Sequence, residues 1–310
     1  MKKFLYKCAI LCLLIIVSLI IIILLPVPHN DYLQAINDKH ERLRDIPPPR
    51  IVLAGGSNIA FGIDSETIQN TLHIPVVNIG IQAGIGLGRI LDDIAPLLSQ
   101  GDMLVIIPEY THFENGWNGY SSAYELIFET HRYSLAAHIP FYGKPAGFSA
   151  YLQTKLLKMI PRPPNPLAKS GDGFNEYGDY VKHLEIENQP FPPLPPLEKI
   201  NLQNPMRFFR FTALFAERGI KVLISYPSYE ETAFHNSAQF IAELDKALRA
   251  EKTIQVISTP EDYCFPTDYF YDSVYHLNAK GREIRTARLI RDLREYLEQQ
   301  GGSNRVDAYP

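Results

Sequence analysis

The sequence predicts an α/β fold: a parallel sheet covered on both faces, an insertion after the third strand, and one N-terminal transmembrane helix ahead of the domain. Three observations predict it. The short runs 51–54, 103–107 and 220–225 are continuously apolar, as strands buried on both faces are, rather than alternating. Between such runs lie segments with apolar residues at helical spacing, including 87–98 and 237–250, which is the strand–helix alternation of parallel sheets. Finally, residues 8–25 are almost unbroken Leu, Ile, Val, Ala and Cys, with Ser18 the only hydroxyl.

A helix over 8–25 spans about 27 Å at ~1.5 Å per residue, close to the hydrocarbon thickness of a bilayer. Lys2, Lys3 and Lys7 precede it, so the positive-inside rule places the N-terminus in the cytoplasm and the main domain outside the membrane. A cleaved signal peptide would leave through an Ala-x-Ala pattern. The exit here reads Leu24-Leu25-Pro26-Val27-Pro28, which favours a retained anchor, and no lipobox precedes Cys8 or Cys12.

The elements follow in order. Residues 1–29 form the anchor. Residues 30–50, polar and closed by Pro47-Pro48-Pro49, read as a juxtamembrane linker: a short helix and a stiff spacer. The main domain occupies 51–300, with a tail over 301–310. Strands are expected at 51–54, 75–79, 103–107, 220–225 and 254–257. Helices are expected at 65–70 behind the N-cap Asp64, at 87–98, 206–218 and 237–250, and after Asn278 to near Gly301-Gly302. Residues 110–205 break the alternation with aromatics, the proline clusters at 161–166 and 190–196, and short helical pieces at 121–130 and 149–160. An insertion leaving the carboxyl edge of a parallel sheet usually shapes the substrate site. This one is expected to wall a shallow groove, removable without loss of small-ester chemistry. Phe113, Trp117, Tyr120 and Tyr124 either stack on sugar rings or form a small core of the insertion.

The net charge is −4 and no basic stripe appears, which excludes nucleic acid as a partner. Cys8 and Cys12 lie in the anchor, leaving Cys264 alone outside it, so no disulfide framework is expected. His112, His131, His138, His183 and His235 lack ligand spacing. Neither a metal nor a cofactor is expected.

The chemistry rests on two short motifs far apart in the chain. Gly55-Gly56-Ser57-Asn58 follows the first strand and presents a hydroxyl at the lip of the sheet. Asp272-Ser273-Val274-Tyr275-His276 supplies a carboxylate and an imidazole just before the last helix. Taken alone, Gly-Gly-Ser reads first as a tight strand-to-helix turn, since Gly and Ser dominate turns. Together the motifs hold what nucleophilic acyl transfer needs: Ser57 as nucleophile, His276 as base, Asp272 to orient the imidazole, with Asp268 a second candidate for that role. Oxyanion donors are expected from the Ser57 and Gly80 backbone and from Asn58. Glu109 and Tyr110 would line the same edge, Glu109 binding a substrate hydroxyl or holding a loop. Arg89, after the glycine-rich turn 84–88, would meet an anionic substrate.

In their order and spacing, Gly55-Gly56-Ser57-Asn58, Asn78-Ile79-Gly80 and Asp272…His276-Leu277-Asn278…Gly281 resemble the SGNH (GDSL-type) hydrolase superfamily over about residues 51–300, the insertion excluded. The resemblance implies a flavodoxin-like three-layer α/β/α sandwich. The tether and Gly173-Phe174-Asn175…Gly178-Asp179 are similar to cell-envelope members, the D-alanyl-lipoteichoic acid esterase-like proteins and the alginate O-acetyltransferases. They imply a partner that is a cell-envelope polymer or an acyl-carrying membrane partner. Two departures stand out. The superfamily commonly carries Gly-x-Asn-Asp after the third strand, its Asn donating to the oxyanion, where this chain has Pro108-Glu109-Tyr110-Thr111-His112. Ionised, Glu109 only accepts, and a missing donor costs about 3–4 kcal/mol of transition-state stabilisation. The usual Asp-x-x-His spacing would also put the Asp at 273, where this chain has Ser. The expected function is therefore a membrane-tethered extracytoplasmic serine esterase or O-acyltransferase. The alternative is a non-catalytic binding or assembly protein on the same fold.

Overall fold

A computed structural model describes residues 1–25, 31–138, 145–160, 165 and 167–301 of the chain. The expected exit at 26–29, most of the proline cluster at 161–166, and residues 302–310 of the tail lie outside the described residues. Among the described residues a five-stranded sheet forms from β1 (Ile51–Gly55), β2 (Val76–Asn78), β3 (Met103–Ile107), β4 (Lys221–Ile224) and β5 (Gln255–Val256). The strand order is β2-β1-β3-β4-β5 and every pairing is parallel. In register, Ile51 lies beside both Val76 and Met103, and Met103 beside Lys221.

Helices make the connections. In chain order they are α1 (Lys2–Leu24), α2 (Asp31–Asp45), α3 (Ser57–Gly62), α4 (Ser65–Leu72), α5 (Leu87–Ile94), α6 (Ser121–Glu129), α7 (Pro145–Lys158), α8 (Gln203–Glu217), α9 (Glu231–Asn236), α10 (Ala238–Ala250) and α11 (Ala279–Gly301). Side chains alternate across a strand, so each strand feeds two cores. Val52, Ala54, Leu104, Ile106, Val222 and Ile224 pack with Leu87 and Leu91 of α5, Phe208 and Phe215 of α8, and Leu244 of α10. Ile51, Leu53, Met103, Val105, Ile107 and Leu223 pack with Ile59, Ile68, Leu289 and Leu293 of α3, α4 and α11. Both sets must be apolar, which is why the strands read as unbroken hydrophobic runs.

Local signals set the ends. Asp64 accepts from the Thr67 N–H at 3.1 Å and starts α4. Asn278 accepts from the Gly281 N–H at 3.1 Å at the head of α11. The helix expected over 87–98 stops at Ile94 and continues as a 3₁₀ turn over Ala95–Leu97, because Pro96 has no N–H to donate to the carbonyl four residues earlier. Helix α9, capped by the Glu230 side chain on the Ala233 N–H, lies in a stretch with no sequence expectation.

The N-terminal elements divide sharply. α1 buries no residue and has a mean hydropathy of 3.2, long and apolar enough to cross a membrane. The short helix expected in 30–50 is present as α2, but it packs rather than standing free as part of a spacer: it buries Leu33, Ala35, Ile36, Lys39, His40 and Leu43 against the domain. Behind it, the buried Arg50 donates to the Asp102 carboxylate at 2.9 Å. Lys39, 3% exposed, donates to the carbonyls of Asn78, Gly80 and Gly178. Burial pulls its ammonium down to about 7, against the opposing pull of Asp179.

Residues 110–205 are not a separable wall either. Phe113 and Trp117 belong to the main core, while Tyr124 joins Phe128, Phe148 and Tyr151 in a cluster between α6 and α7. Asp179, fully buried, accepts from the Ser65 N–H at 2.7 Å, the Ser65 hydroxyl at 2.6 Å, Asn78 Nδ2 at 2.8 Å and Arg282 at 3.3 Å. Deleting the insertion would strip this carboxylate from its donors and open the core. Removing it while sparing small-ester chemistry is therefore not expected.

Lys39→Met leaves three buried carbonyls without their donor, and the substitution is expected to lower stability by about 2–4 kcal/mol. Denaturant unfolding of the full-length protein in detergent checks this. A loss within experimental error of zero would show that α2 is held by its apolar face alone.

Candidate active site

The Ser57 hydroxyl emerges at the carboxyl edge of the sheet because β1 ends in two glycines pressed by neighbours. A Cβ on Gly56 would lie 2.5 Å from Glu109 Oε1 and 2.9 Å from Ala83 Cβ. One on Gly80, just past β2, would meet Ile59 at 2.1 Å and the Gly56 carbonyl at 2.8 Å. The backbones of the two strand ends therefore close onto α3, and Ser57 becomes the first residue of that helix.

His276 comes from the other end of the chain. Phe270–Ser273 and His276–Leu277 pair antiparallel in a small hairpin just ahead of α11, which puts Asp272 and the imidazole on one side. His276 Nε2 lies 2.8 Å from Ser57 Oγ, and its Nδ1 pairs with Asp272 Oδ1. The Asp272 bond fixes the proton on Nδ1 and leaves Nε2 to accept from the Ser57 hydroxyl. Burial lowers the imidazole below 6.5, with Asp272 opposing and Lys169 reinforcing the shift. Burial would raise the Asp272 carboxyl, but its bond and attraction to His276, together with Lys169, hold it at about 2. The pair is a neutral imidazole beside an ionised carboxylate at neutral pH. Asp268 takes no part through its carboxylate; its backbone carbonyl accepts from Asn188 and Asn278.

The imidazole is held by its surroundings. Phe61, one turn after Ser57 on α3, stacks on the His276 ring with centroids 4.2 Å apart and planes 14° off parallel. His183 Nε2 donates to the Leu277 carbonyl at 2.9 Å, tying the insertion to the residue after the histidine. Lys169 is a residue the sequence did not single out. Its ammonium is 3.1 Å from Asp272 Oδ2 and 4.7 Å from the Phe61 ring centroid. No local pattern around it marks it, because its partners are about a hundred residues away.

The expected oxyanion donors fare differently. The Ser57 N–H heads α3 and has no acceptor within its own helix. The Gly80 N–H instead donates to Asn78 Oδ1 at 2.9 Å, so Gly80 is not a free donor. Asn58 spends its backbone N–H on Glu109 Oε1 at 3.2 Å, and its side-chain amide donates to the Ile107 carbonyl at 3.3 Å and also to Glu109. Both corrections have one cause: a tight strand-end turn satisfies its own polar groups before it offers any to solvent.

Of the residues expected to line the edge, Glu109 is at the centre, 4% exposed with Oε1 3.4 Å from Ser57 Oγ. Burial pushes its carboxyl up to about 7, against hydrogen bonds from Asn58 and Ser57 and the charge of Lys169. Its backbone N–H donates to His112 Nδ1 at 3.1 Å, and His112 Nε2 donates to the Ala83 carbonyl at 3.2 Å, so that histidine is a strut. Tyr110 turns away into the main core, edge-on to Tyr229, where it cannot meet a substrate. Arg89 is buried on α5, ion-paired with Asp92 at 2.7 Å, and faces a groove with Trp117, Arg207 and Phe211 that includes none of Ser57, His276 and Asp272. The turn before it is packed, not flexible: a Cβ on Gly86 would lie 2.1 Å from Gly119 N. Among the described residues no group of three or more His, Cys, Asp or Glu could hold a metal ion.

Two buried histidines give the site a pH signature. Burial lowers His112 and His183 from 6.5 to about 4, so between those values the unfolded chain binds protons the folded chain does not, and stability is lost as pH falls through that window. His112→Asn keeps the acceptor for Glu109 but cannot titrate. The stability advantage of the wild type over this variant is expected to shrink by up to roughly 3 kcal/mol between pH 6.5 and 4. Unfolding midpoints at the two pH values check it, and a constant difference would rule it out. No protein-family model matches this chain, and a search of curated proteins finds none that matches it in sequence.

Proposed function

We propose that this chain is a membrane-tethered serine esterase or O-acyltransferase, a flavodoxin-like three-layer α/β/α domain of SGNH type acting on acyl esters of a cell-envelope polymer. The observation that carries the reading is the relay from Ser57 Oγ through His276 to Asp272 at the carboxyl edge of a parallel sheet. Its strand order, β2-β1-β3-β4-β5, is that of flavodoxin-like sheets, whose ligands sit at this edge.

In this reading His276 Nε2 takes the Ser57 proton as Oγ attacks the ester carbonyl carbon. The carbonyl π electrons move to oxygen, and the oxyanion faces the Ser57 N–H. The C–O bond to the alcohol then breaks, and the departing oxygen takes the proton from the imidazolium. Asp272 stabilises that imidazolium through Nδ1. The acyl group on Ser57 passes next to water or to a polymer hydroxyl, with His276 again removing the incoming proton. Both outcomes share the first half-reaction. With α1 as the anchor and Lys2, Lys3 and Lys7 on the cytoplasmic side, the domain would work outside the membrane, within reach of envelope polymers.

A fluorophosphonate probe is expected to label the full-length protein in detergent, and labelling should disappear in Ser57→Ala and drop at least about 1,000-fold in rate in His276→Ala. A folded protein that resists the probe would favour the binding or assembly alternative. The chain should also stay with membranes through carbonate extraction. Recovery of a mature form that begins after residue 25 would replace the anchor with a cleaved signal peptide.

A further inference from the structure

Glu109 poses a problem for acyl chemistry at Ser57, and its surroundings supply the answer. A tetrahedral oxyanion at Ser57 needs donors. Of the groups at the edge, the Ser57 N–H is free by position, but the Gly80 N–H is spent on Asn78 and the Asn58 side chain on Ile107. Besides His276, the side chain within hydrogen-bond distance of the Ser57 hydroxyl is that of Glu109, at 3.4 Å among the described residues. A carboxylate there would repel the charge it must accommodate. A carboxylic acid in the same place has an O–H to give.

We propose that Glu109 acts as a neutral carboxylic acid, its Oε1 accepting from the Asn58 N–H while the O–H of its other oxygen hydrogen-bonds the oxyanion formed at Ser57. The inference rests on the acyl chemistry proposed above. Geometry favours the neutral form. The side chain is enclosed beneath the Gly56 turn, too close for any side chain at that glycine. Burial, the largest influence on the carboxyl, raises it to about 7. The groups that face it do not undo this. His112 behind it is neutral, Tyr32, Tyr229 and Tyr275 are buried phenols pushed further from ionisation, and Asp272 is engaged with His276. The charge of Lys169 favours ionisation, but that ammonium is paired with Asp272. The proton on Glu109 is not consumed: the O–H donates as the oxyanion forms and keeps its hydrogen when the carbonyl re-forms.

The proposal gives the reaction two limbs. The rate rises as His276 loses its proton, below pH 6.5, and falls about tenfold per pH unit once Glu109 ionises above about 7. The test is the rate at which a fluorophosphonate labels Ser57 between pH 5 and 10, in full-length protein in detergent, for wild type, Glu109→Gln and Glu109→Ala. Gln keeps a donor that does not titrate, so that variant should hold within about tenfold of the wild type at pH 6 and lose the alkaline fall. Ala should slow labelling about 100- to 1,000-fold at pH 6. A wild-type rate that stays level from pH 7 to 9, or a Gln variant as slow as Ala, overturns the role of Glu109 while leaving the acyl chemistry standing. Absence of labelling in the wild type at every pH overturns the acyl chemistry itself. Infrared difference spectra between pH 6 and 9 read the proton without a reaction: a carboxylic-acid C=O band in wild type at pH 6, absent in Glu109→Gln, is expected, and its absence from the wild type defeats the proposal.

Discussion

The buried carboxylate of Asp179 is the constraint on which the rest of the molecule depends. It accepts from the Ser65 backbone and hydroxyl, from Asn78 and from Arg282, and these lie at the head of α4, the end of β2 and the first turn of α11. A carboxylate taken out of water survives only when its oxygens are met, and breaking such a cluster leaves an uncompensated buried charge. Satisfying Asp179 therefore holds four chain segments in one relative position. Asn78 extends the cluster: the same side chain that donates to Asp179 also donates to the Ile59 carbonyl and accepts the Gly80 N–H. Lys39 closes it from α2 by donating to the carbonyls of Asn78, Gly80 and Gly178. The insertion and the juxtamembrane helix are thus parts of the scaffold that sets the strand ends.

The geometry at Ser57 follows from that scaffold. With the ends of β1 and β2 pinned, Gly56 and Gly80 press on Glu109, Ala83 and Ile59, and α3 begins where the serine faces the edge. The same short helix turns Phe61 onto the His276 ring, so one element presents the hydroxyl and holds the imidazole flat against it. Lys169, from the insertion, then touches Asp272 and Phe61 together. Burial raises both carboxyls in this small volume, and their partners decide where each one ends. Asp272 has a protonatable partner and a lysine within reach and is held at about 2, whereas Glu109, with neutral donors and enclosing backbone, rises to about 7. Two carboxyls whose environments push them apart is a pattern of sites that do proton chemistry.

Much of the fold was legible because its signals are local. Unbroken apolar runs marked β1, β3 and β4, and Asp64 and Asn278 marked the starts of α4 and α11. The errors arose where a distant partner outweighed the local pattern. Residues 30–50 are polar enough to read as a spacer, but a stripe of Leu33, Ile36 and Leu43 beside Lys39 finds apolar surface and carbonyls only in the folded domain. Tyr110 and Arg89 follow strand ends in the sequence, yet the fold sends one into the core and the other to a separate groove.

The sequence by itself determined the chemical inventory of this protein: a serine behind two glycines, a histidine four residues after an aspartate, an apolar N-terminal helix, and a carboxylic residue rather than an amide after the third strand. These are properties of residue type and spacing, and folding does not change them. Only the tertiary structure decided how they act. It joined Ser57 to His276 across the length of the chain, chose Asp272 over Asp268, withdrew the Gly80 amide, and supplied Lys169. It also raised the Glu109 carboxyl to about 7, because a carboxyl's charge is set by the water and donors left around it, and burial at the meeting of β1, β3 and α3 removes most of that water.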